Sequence, residues 1–493
     1  MKNRIIAILM ALALLTVCSA SALAEGNSPE PPSGDFAPGD MGTPPDGMGE
    51  PPEGMGEPPE GGPDGMGGPG EGGPGEGGPG GGFGGGSADF EYAAATELTE
   101  ASNLTGETYA SDTADESALI VNTDADVTLA DITVEKTGDS NGGDSCNFYG
   151  LNAAVLAMGG GTVTITGGTI TSDADGANGV FCYGGNGAQN GGAGDGTTVY
   201  ISDTTIATTG DGSGGIMTTG GGVTYATNLT VETNGRSSAA IRTDRGGGTV
   251  VVDGGSYTSN GLGSPAIYST ADITVSNATL TSNLSEGVCI EGLNSITLND
   301  CDLTANNTQM NGNATFLDTI MIYQSMSGDA DSGTSHFTMN GGSLTSLSGH
   351  MFHVTNTHAV ITLTGVQLVN EDADGVLLSV CDDGWSGADN IAELNASGQV
   401  LTGTILVGDN STLTLNLTEG SSFEGSIGGE IVNAKGETVS AEVGKVTVTL
   451  DDTSTWTLTA DTSISAFDGD AANVHANGFT LYVNGAALEG VSE

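Results

Sequence analysis

Residues 159–176 set a hydrophobic pattern that much of the chain repeats. In this stretch Val163 and Ile165 alternate with threonines, which is the period-two pattern of a half-buried β-strand. Gly167 and Gly168 then turn the chain into a second short strand that carries Ile170. The pattern predicts a strand, a turn and a second strand, a unit too small to bury its apolar face alone.

Copies of this unit follow the form apolar, any residue, apolar, with a further apolar residue five positions on. The copies begin at Val199, Val250, Ile273, Ile296, Phe337 and Ile361. Successive first anchors, counted from Val163, lie 23 to 51 residues apart. Internal repeats of roughly this length are typical of solenoids, so we expect a stack of coils in which the longer intervals carry insertions. Pro265 is the only proline after residue 87, which agrees with continuous sheet because a paired strand needs its backbone N–H groups.

Composition divides the chain into five segments. Residues 1–24 have a basic start, an apolar run and an Ala22-Leu-Ala24 cleavage site, which predicts a signal peptide and a secreted, extracellular or cell-surface protein with no membrane span after cleavage. Residues 25–87 are rich in Gly, Pro and Glu and predict a disordered acidic linker. The remaining predicted segments are an N-terminal cap at 88–116 with a short amphipathic helix near Glu91 to Glu100, a main β-helix at 117–390, and shorter C-terminal β-helix coils with a cap at 391–493.

The chain is strongly acidic, with 62 Asp and Glu against 8 Lys and Arg and a formal net charge of −54. A nucleic acid is therefore excluded as a partner, because its binding requires basic patches that neutralise phosphates. The same acidity suits calcium, whose ligands are carboxylate and carbonyl oxygens. Five cysteines lie beyond the predicted signal peptide, and their spacing fits no zinc motif. We expect buried free thiols, with one or two disulfide bridges as the alternative.

Several stretches carry a resemblance to a known group of proteins. They are Gly160-Gly-Thr-Val-Thr-Ile165, Tyr149-Gly-Leu-Asn-Ala-Ala154, Ser237-Ser-Ala-Ala-Ile241 and Ser264-Pro-Ala-Ile-Tyr268. The chain resembles right-handed parallel β-helix surface proteins of anaerobic bacteria, the adhesin-like branch of the pectate-lyase-like superfamily, and is similar to calcium-containing, polygalacturonate-binding β-helix proteins of clostridia. The resemblance covers roughly residues 115–485. It implies an all-β, right-handed parallel β-helix that binds carbohydrate, and none of its motifs is catalytic.

Paired aspartates form the first candidate site. Asp-Ala-Asp occurs four times, and we expect calcium at one or more of three pairs at coil edges, Asp173 with Asp175, Asp329 with Asp331, and Asp372 with Asp374; the fourth pair is Asp124 with Asp126. Two adjacent carboxylates repel unless a cation or a proton lies between them. The alternative is that these aspartates only form turns.

Arginines and aromatic residues form the second candidate site. Arg236, Arg242 and Arg245 fall within ten residues, and their guanidinium groups suit a uronic acid; the alternative is a salt bridge with Asp244 or with acids of adjacent coils. Tyr183 and Trp385 open or occupy insertions and are candidate sugar contacts, and Tyr268 and Tyr323 lie in coil segments. Four histidines, at 336, 350, 353 and 358, cluster in sequence, but strand alternation is expected to scatter them.

These observations predict a carbohydrate-binding, adhesin-like protein that contacts a polysaccharide or host glycan through its solenoid faces and loops. Regular ladders of polar residues on a stacked sheet suit a repetitive polymer better than a small substrate in a deep pocket. The first alternative is a calcium-dependent polysaccharide lyase or hydrolase on the same fold. The second is a structural surface protein without a defined sugar site. No catalytic residues can be selected from the sequence, so the question of enzymatic activity stays open.

Overall fold

A computed structural model describes residues 91–187 and 192–493. The predicted signal peptide at 1–24 and the predicted linker at 25–87 lie outside the described residues. Within the described part, the chain is almost entirely strand and turn, with one α-helix, α1 (Asp144–Tyr149), and one 3-10 helix at Ala471–Asn473. None of the helices in these ranges has the length and apolar character required to cross a membrane.

Forty β-strands follow one another in the described residues. The first group is β1 (Ala93–Leu98), β2 (Ser102–Thr105), β3 (Thr108–Ser111), β4 (Glu116–Asn122), β5 (Val127–Lys136), β6 (Val155–Met158), β7 (Thr162–Ser172), β8 (Val180–Tyr183), β9 (Thr198–Ser202), β10 (Thr205–Thr208), β11 (Ile216–Thr219), β12 (Gly222–Thr233), β13 (Ile241–Thr243) and β14 (Gly248–Ser259). The second group is β15 (Ile267–Ser269), β16 (Asp272–Ser276), β17 (Thr279–Ser282), β18 (Val288–Glu291), β19 (Ser295–Asn299), β20 (Asp302–Asn306), β21 (Asp318–Tyr323), β22 (Thr334–Asn340), β23 (Ser343–Ser348), β24 (His350–Thr355), β25 (His358–Thr364), β26 (Gln367–Asn370) and β27 (Val376–Val380). The third group is β28 (Asn390–Ser397), β29 (Val400–Val407), β30 (Ser411–Thr418), β31 (Ser422–Gly428), β32 (Ile431–Val432), β33 (Thr438–Ser440), β34 (Lys445–Leu450), β35 (Thr455–Leu458), β36 (Thr462–Ile464), β37 (Ala466–Asp468), β38 (Val474–His475), β39 (Leu481–Val483) and β40 (Ala486–Ala487).

Two long sheets, both parallel throughout, contain most of these strands. Sheet 1 has 15 strands in the order β1, β4, β6, β8, β11, β13, β15, β18, β21, β24, β27, β29, β31, β35 and β38. Sheet 2 has 20 strands and two limbs, because a long strand such as β7 pairs with β9 along its first half and with β10 along its second half. Each coil therefore contributes one strand to sheet 1 and one or two strands to sheet 2. This is the right-handed parallel β-helix predicted above.

The apolar anchors of successive coils stack directly on one another. Val163 pairs with Val199, Ile165 with Ile201, and Ile170 with Ile206, and all of these side chains are almost fully buried. One coil between Val199 and Val250 was missed by the sequence pattern, because Thr224 occupies its first anchor position. The stack of apolar side chains is the continuous core that a single unit could not form.

A left-handed residue bends the coil after the first limb of sheet 2. Where a second limb follows, these residues are Gly106, Asp131, Gly167, Asp203, Asn228, Gly254, Asn277, Asp300, Gly341 and Gly365, all with positive φ. Gly398 and Glu419 have positive φ at the same register position, where the chain passes directly to sheet 1. Asp, Asn and Gly tolerate this conformation best, which explains why they punctuate the repeat. At the next residue, a Cβ on Gly168 would lie 2.1 Å from the Ile132 carbonyl oxygen, so glycine is required there.

The coils become shorter from β28 onward. β28 in sheet 2 leads directly to β29 in sheet 1, so the second limb of sheet 2 is lost from this coil onward. The closing strand expected at 478–483 corresponds to β39, which belongs to a separate three-stranded sheet with β36 and β40. The prediction of an amphipathic helix near Glu91 to Glu100 was wrong. This region contains β1, which pairs in parallel with β4. Its alternating residues are therefore extended as a strand of sheet 1.

Candidate functional site

One row of side chains on the outer side of sheet 1 changes character along the solenoid. We call it the outer row, and in register it comprises Ile120, Leu156, Phe181, Met217, Arg242, Tyr268, Cys289, Met321, His353 and Ser379. Its first four residues are apolar and form a small hydrophobic cluster with Ala153. The residues that follow are mostly polar or aromatic, yet none of them is more than 9% exposed. Polar groups this buried on an outer face require both a cover and specific partners.

Helix α1 covers the outer row at Arg242 and also contacts the nearby Arg245. The Arg245 guanidinium lies 4.0 Å from the centre of the Phe148 ring, within the range of a cation–π interaction. Arg242 donates to the Asn147 side-chain oxygen at 3.2 Å. The Phe148 carbonyl accepts from Thr219 on β11 at 2.7 Å, which ties the helix to the sheet. The helix therefore holds both arginines from above.

Insertions between later coils cover the other end of the outer row. Phe316 stacks on His353 with 4.7 Å between ring centres. Asp383 accepts from the Thr315 backbone and hydroxyl at 2.7 and 2.6 Å, which joins two of these insertions. The Ala434 backbone donates to the Thr315 carbonyl at 2.8 Å, so a third segment joins the cover.

An open cleft remains between the two covers, with a volume of about 280 Å³. The side chains that line it include Tyr268, Glu286, Cys289, Asn311, Asn313, Met321, Tyr323, Ser325, Met326, Ser327 and Trp385. The Trp385 and Tyr323 rings lie 4.8 Å apart at a tilt of 52°. Met326 is 64% exposed at the rim. Aromatic rings and side-chain amides in one concave surface are the groups that contact sugars.

Glu291 lies beneath the cleft as the centre of a hydroxyl network. One of its carboxylate oxygens accepts from Tyr268 at 2.6 Å and from Tyr323 at 3.2 Å, and the other accepts from Ser325 and from Ser327. The residue is 1% exposed, and burial raises its pKa above the usual value. The network fixes the two tyrosines and the serine loop that line the cleft.

All three predicted ligand-binding arginines have partners within the protein. Arg242 forms an ion pair with Asp244 at 2.6 Å, which is the alternative named from the sequence. Arg245 forms a pair with Asp329 at 2.5 Å, and both pairs are at least 90% buried. Arg236 donates to Asn311 at 3.3 Å. Burial raises the pKa of Asp244 to about 6 despite its contact with Arg242.

The aspartates predicted to bind calcium occupy several different environments. Asp173 accepts from Thr209 at 2.5 Å, and Asp175 accepts from the Asp211 backbone at 2.8 Å, so these acids join turns of adjacent coils. Asp372 accepts from the Gly349 backbone at 2.8 Å and from the backbone of Asp374 at 2.9 Å. Asp329 is paired with Arg245, and Asp331 is exposed. The structure shows no group of three or more His, Cys, Asp or Glu placed to hold a metal in the described ranges, and calcium at these turns stays a prediction.

The remaining sequence candidates separate into two places. Trp385 comes together with Tyr268 and Tyr323 in the cleft. Tyr183 lies elsewhere, edge-to-face with Tyr149 at 5.8 Å beside the apolar end of the outer row.

His350 and His353 converge on the Ser379 hydroxyl at 2.7 Å each, contrary to the scatter expected from strand alternation. The five described cysteines are buried and free, as expected.

Sequence reasoning missed Glu286, Glu291, Asn311 and Asn313. A local signal marks the first of these, because Glu286-x-Val-x-Ile290 and Asp318-x-Ile-x-Ile322 have the same form and occupy the same position in adjacent coils. The asparagines carry no such signal, since the fold of an insertion brings them to the cleft.

The fold and the covered outer row define the molecule as a right-handed parallel β-helix with a cleft on one sheet. Comparison of the chain with protein-family models, curated proteins and solved structures finds no match. The cleft therefore has to be interpreted from its own chemistry.

Proposed function

We propose that the protein is a secreted or cell-surface, adhesin-like protein that binds a polysaccharide or host glycan, and that the cleft on sheet 1 holds the sugar. The observation that carries this proposal is the convergence of Trp385, Tyr268 and Tyr323 with the amides of Asn311 and Asn313 in one open groove. Sugars present apolar faces to aromatic rings and hydroxyls to amides. A groove open along a solenoid also accommodates a segment of a long polymer.

The charges of the site favour an uncharged sugar over a uronic acid. Arg242 and Arg245 are already neutralised by Asp244 and Asp329 in buried pairs. Glu286 contributes a carboxyl group to the cleft wall, and the chain as a whole carries a formal net charge of −54. A carboxylated ligand would meet repulsion from these acids, and Arg236, the third arginine, already donates to the cleft residue Asn311. We therefore propose a neutral glycan.

The test is binding of the full chain to a panel of neutral and uronate-containing glycans, followed by substitution of Trp385. We expect Trp385→Ala to weaken binding of the best neutral glycan at least ~10-fold, since aromatic anchors dominate such sites. Tyr225→Ala is the matched control, because Tyr225 is a 39% exposed aromatic residue on sheet 2. The affinity of this variant for the glycan should stay within about twofold of that of the wild type.

Three outcomes would change this proposal. Equal loss of affinity in both variants would move the site away from the cleft. Absence of binding across the panel would favour the structural surface protein. Release of shortened or unsaturated sugar products would favour the lyase or hydrolase, and the pKa-raised carboxyl of Glu286 in the cleft would then be the first group to replace.

A further inference from the structure

Two carboxylic acids occupy the same position in adjacent coils, beside the cleft. β18 pairs with β21 so that Val288 lies opposite Ile320, which places Glu286 opposite Asp318. Neighbouring strands of a sheet are about 4.8 Å apart, so the two side chains emerge from the backbone at close range. Glu286 is 7% exposed and Asp318 is 1% exposed. The next coil places His350 in the same column.

The groups that face this pair do not neutralise it. The charged groups that act on Asp318 are Glu286 and Asp383, both acidic, and together with burial they raise its pKa well above the usual value. Burial also raises the pKa of Glu286. Burial lowers the pKa of His350 to about 4, so this imidazole is neutral near pH 7. Two buried carboxylates side by side are unfavourable unless a proton or a cation lies between them.

Acceptor oxygens at this place outnumber the donors. Asp318 Oδ1 and Asn307 Oδ1 are buried and have no hydrogen-bond partner. The Asn307 amide nitrogen donates to the Asp318 backbone carbonyl at 3.1 Å, which orients the amide, and the Asn307 side chain lies beside Glu286. Glu286 accepts one further bond from Ser285. A proton shared by the two carboxyl groups would give a hydrogen bond to only one of these unpartnered oxygens, whereas both could coordinate a bound cation.

We propose that Glu286, Asp318 and the side-chain carbonyl of Asn307 form a binding site for a hard divalent cation. Two carboxylates and an amide oxygen are the ligand type of Ca²⁺ and Mg²⁺, and the set contains no nitrogen or sulfur ligand that would favour zinc. Glu286 also lines the cleft, which gives an ion a path from solvent. The site is separate from the Asp-Ala-Asp turns and does not depend on the glycan proposal.

Calorimetric titration of the chelator-treated full chain with CaCl₂, and in a second arm with MgCl₂, tests this site. We expect saturable binding of one of the two ions and a melting temperature that rises with its concentration. Asp318→Asn should weaken binding at least ~10-fold, because it removes a charged ligand. Asp302→Asn, which replaces an exposed acid on β20 outside the Asp-Ala-Asp pairs, is the matched control and should bind like the wild type. Glu286→Gln provides a second variant if Asp318→Asn does not fold.

Two results would overturn the proposal. The first is the absence of ion binding together with a melting temperature that only rises as the pH falls, which would assign a shared proton to the pair. The second is wild-type affinity in both Asp318→Asn and Glu286→Gln. If a double substitution of Asp173 and Asp175 by asparagine abolished binding instead, the ion would belong to the coil-edge turns.

Discussion

The outer faces of the two long sheets use polar residues in opposite ways. On sheet 2, polar side chains lie in water and bond from coil to coil, as Ser295 does to Asp272 at 2.6 Å and Asn416 does to Asn395 at 2.8 Å. On sheet 1, Arg242 and Glu291 are buried beneath covering segments, and each has specific partners. The same repeating coils form both faces. The comparison shows that the covering segments, added to the same repeating coils, bury the polar residues of one face.

Removal of one acid from each face gives the largest expected difference. Asp329→Ala would leave the Arg245 guanidinium buried without its partner, and such a change typically costs about 3–5 kcal/mol of unfolding free energy. Asp272→Ala removes an exposed acid and one hydrogen bond, so we expect a cost within roughly 0.5 kcal/mol. Urea unfolding of the two variants and the wild type measures this. Equal midpoints would contradict the contrast between the faces.

The pH dependence of stability gives a smaller difference. Asp244 has a pKa of about 6 in the folded chain against 3.8 for the free group, so the folded state holds its proton more tightly between these values. This contribution to stability is complete below about pH 3.8 and is lost as the pH rises through about 6. Wild-type stability should therefore fall more steeply than that of Asp244→Asn over this window.

Only the slope is diagnostic in that experiment. Asp244→Asn also leaves Arg242 with a weaker partner, which lowers stability at every pH. Melting curves recorded at several pH values between about 3.5 and 7, which cover the window set by the two pKa values, separate the two effects. Parallel lines for the wild type and the variant would show that Asp244 does not titrate as described.

Much of the fold could be predicted because its information is local and repeated. Val163, Ile165 and Ile170 define a coil within ten residues, and the copies locate most of the others. The sequence predictions failed where pairing with distant strands decides the structure. Thr224 replaces an apolar anchor and is still buried between its neighbours, and the residues of β1 extend because β4 lies beside them.

Less of the candidate site could be predicted, because it depends on which residues of distant coils converge. Trp385 was identified as an aromatic residue in an acidic insertion. The acid that would face a ligand was not identified, since 62 acids are present and only the register separates Glu286 from the rest. The arginine cluster and the alternative pairing of Arg242 with Asp244 are visible in the sequence, but the pairing of Arg245 with Asp329 depends on which distant segments the fold brings together.

Hydrogen–deuterium exchange of the full chain, with and without the best-binding neutral oligosaccharide, tests the cleft proposal most directly. We expect new protection in peptides that cover the cleft lining at 263–268, 311–314, 321–327 and 385. Peptides of sheet 2 around Tyr200 and Tyr225 should exchange as in the free protein. Protection confined to those sheet 2 peptides, with unchanged exchange in the cleft, would contradict the proposal that the covered face of sheet 1 binds the glycan.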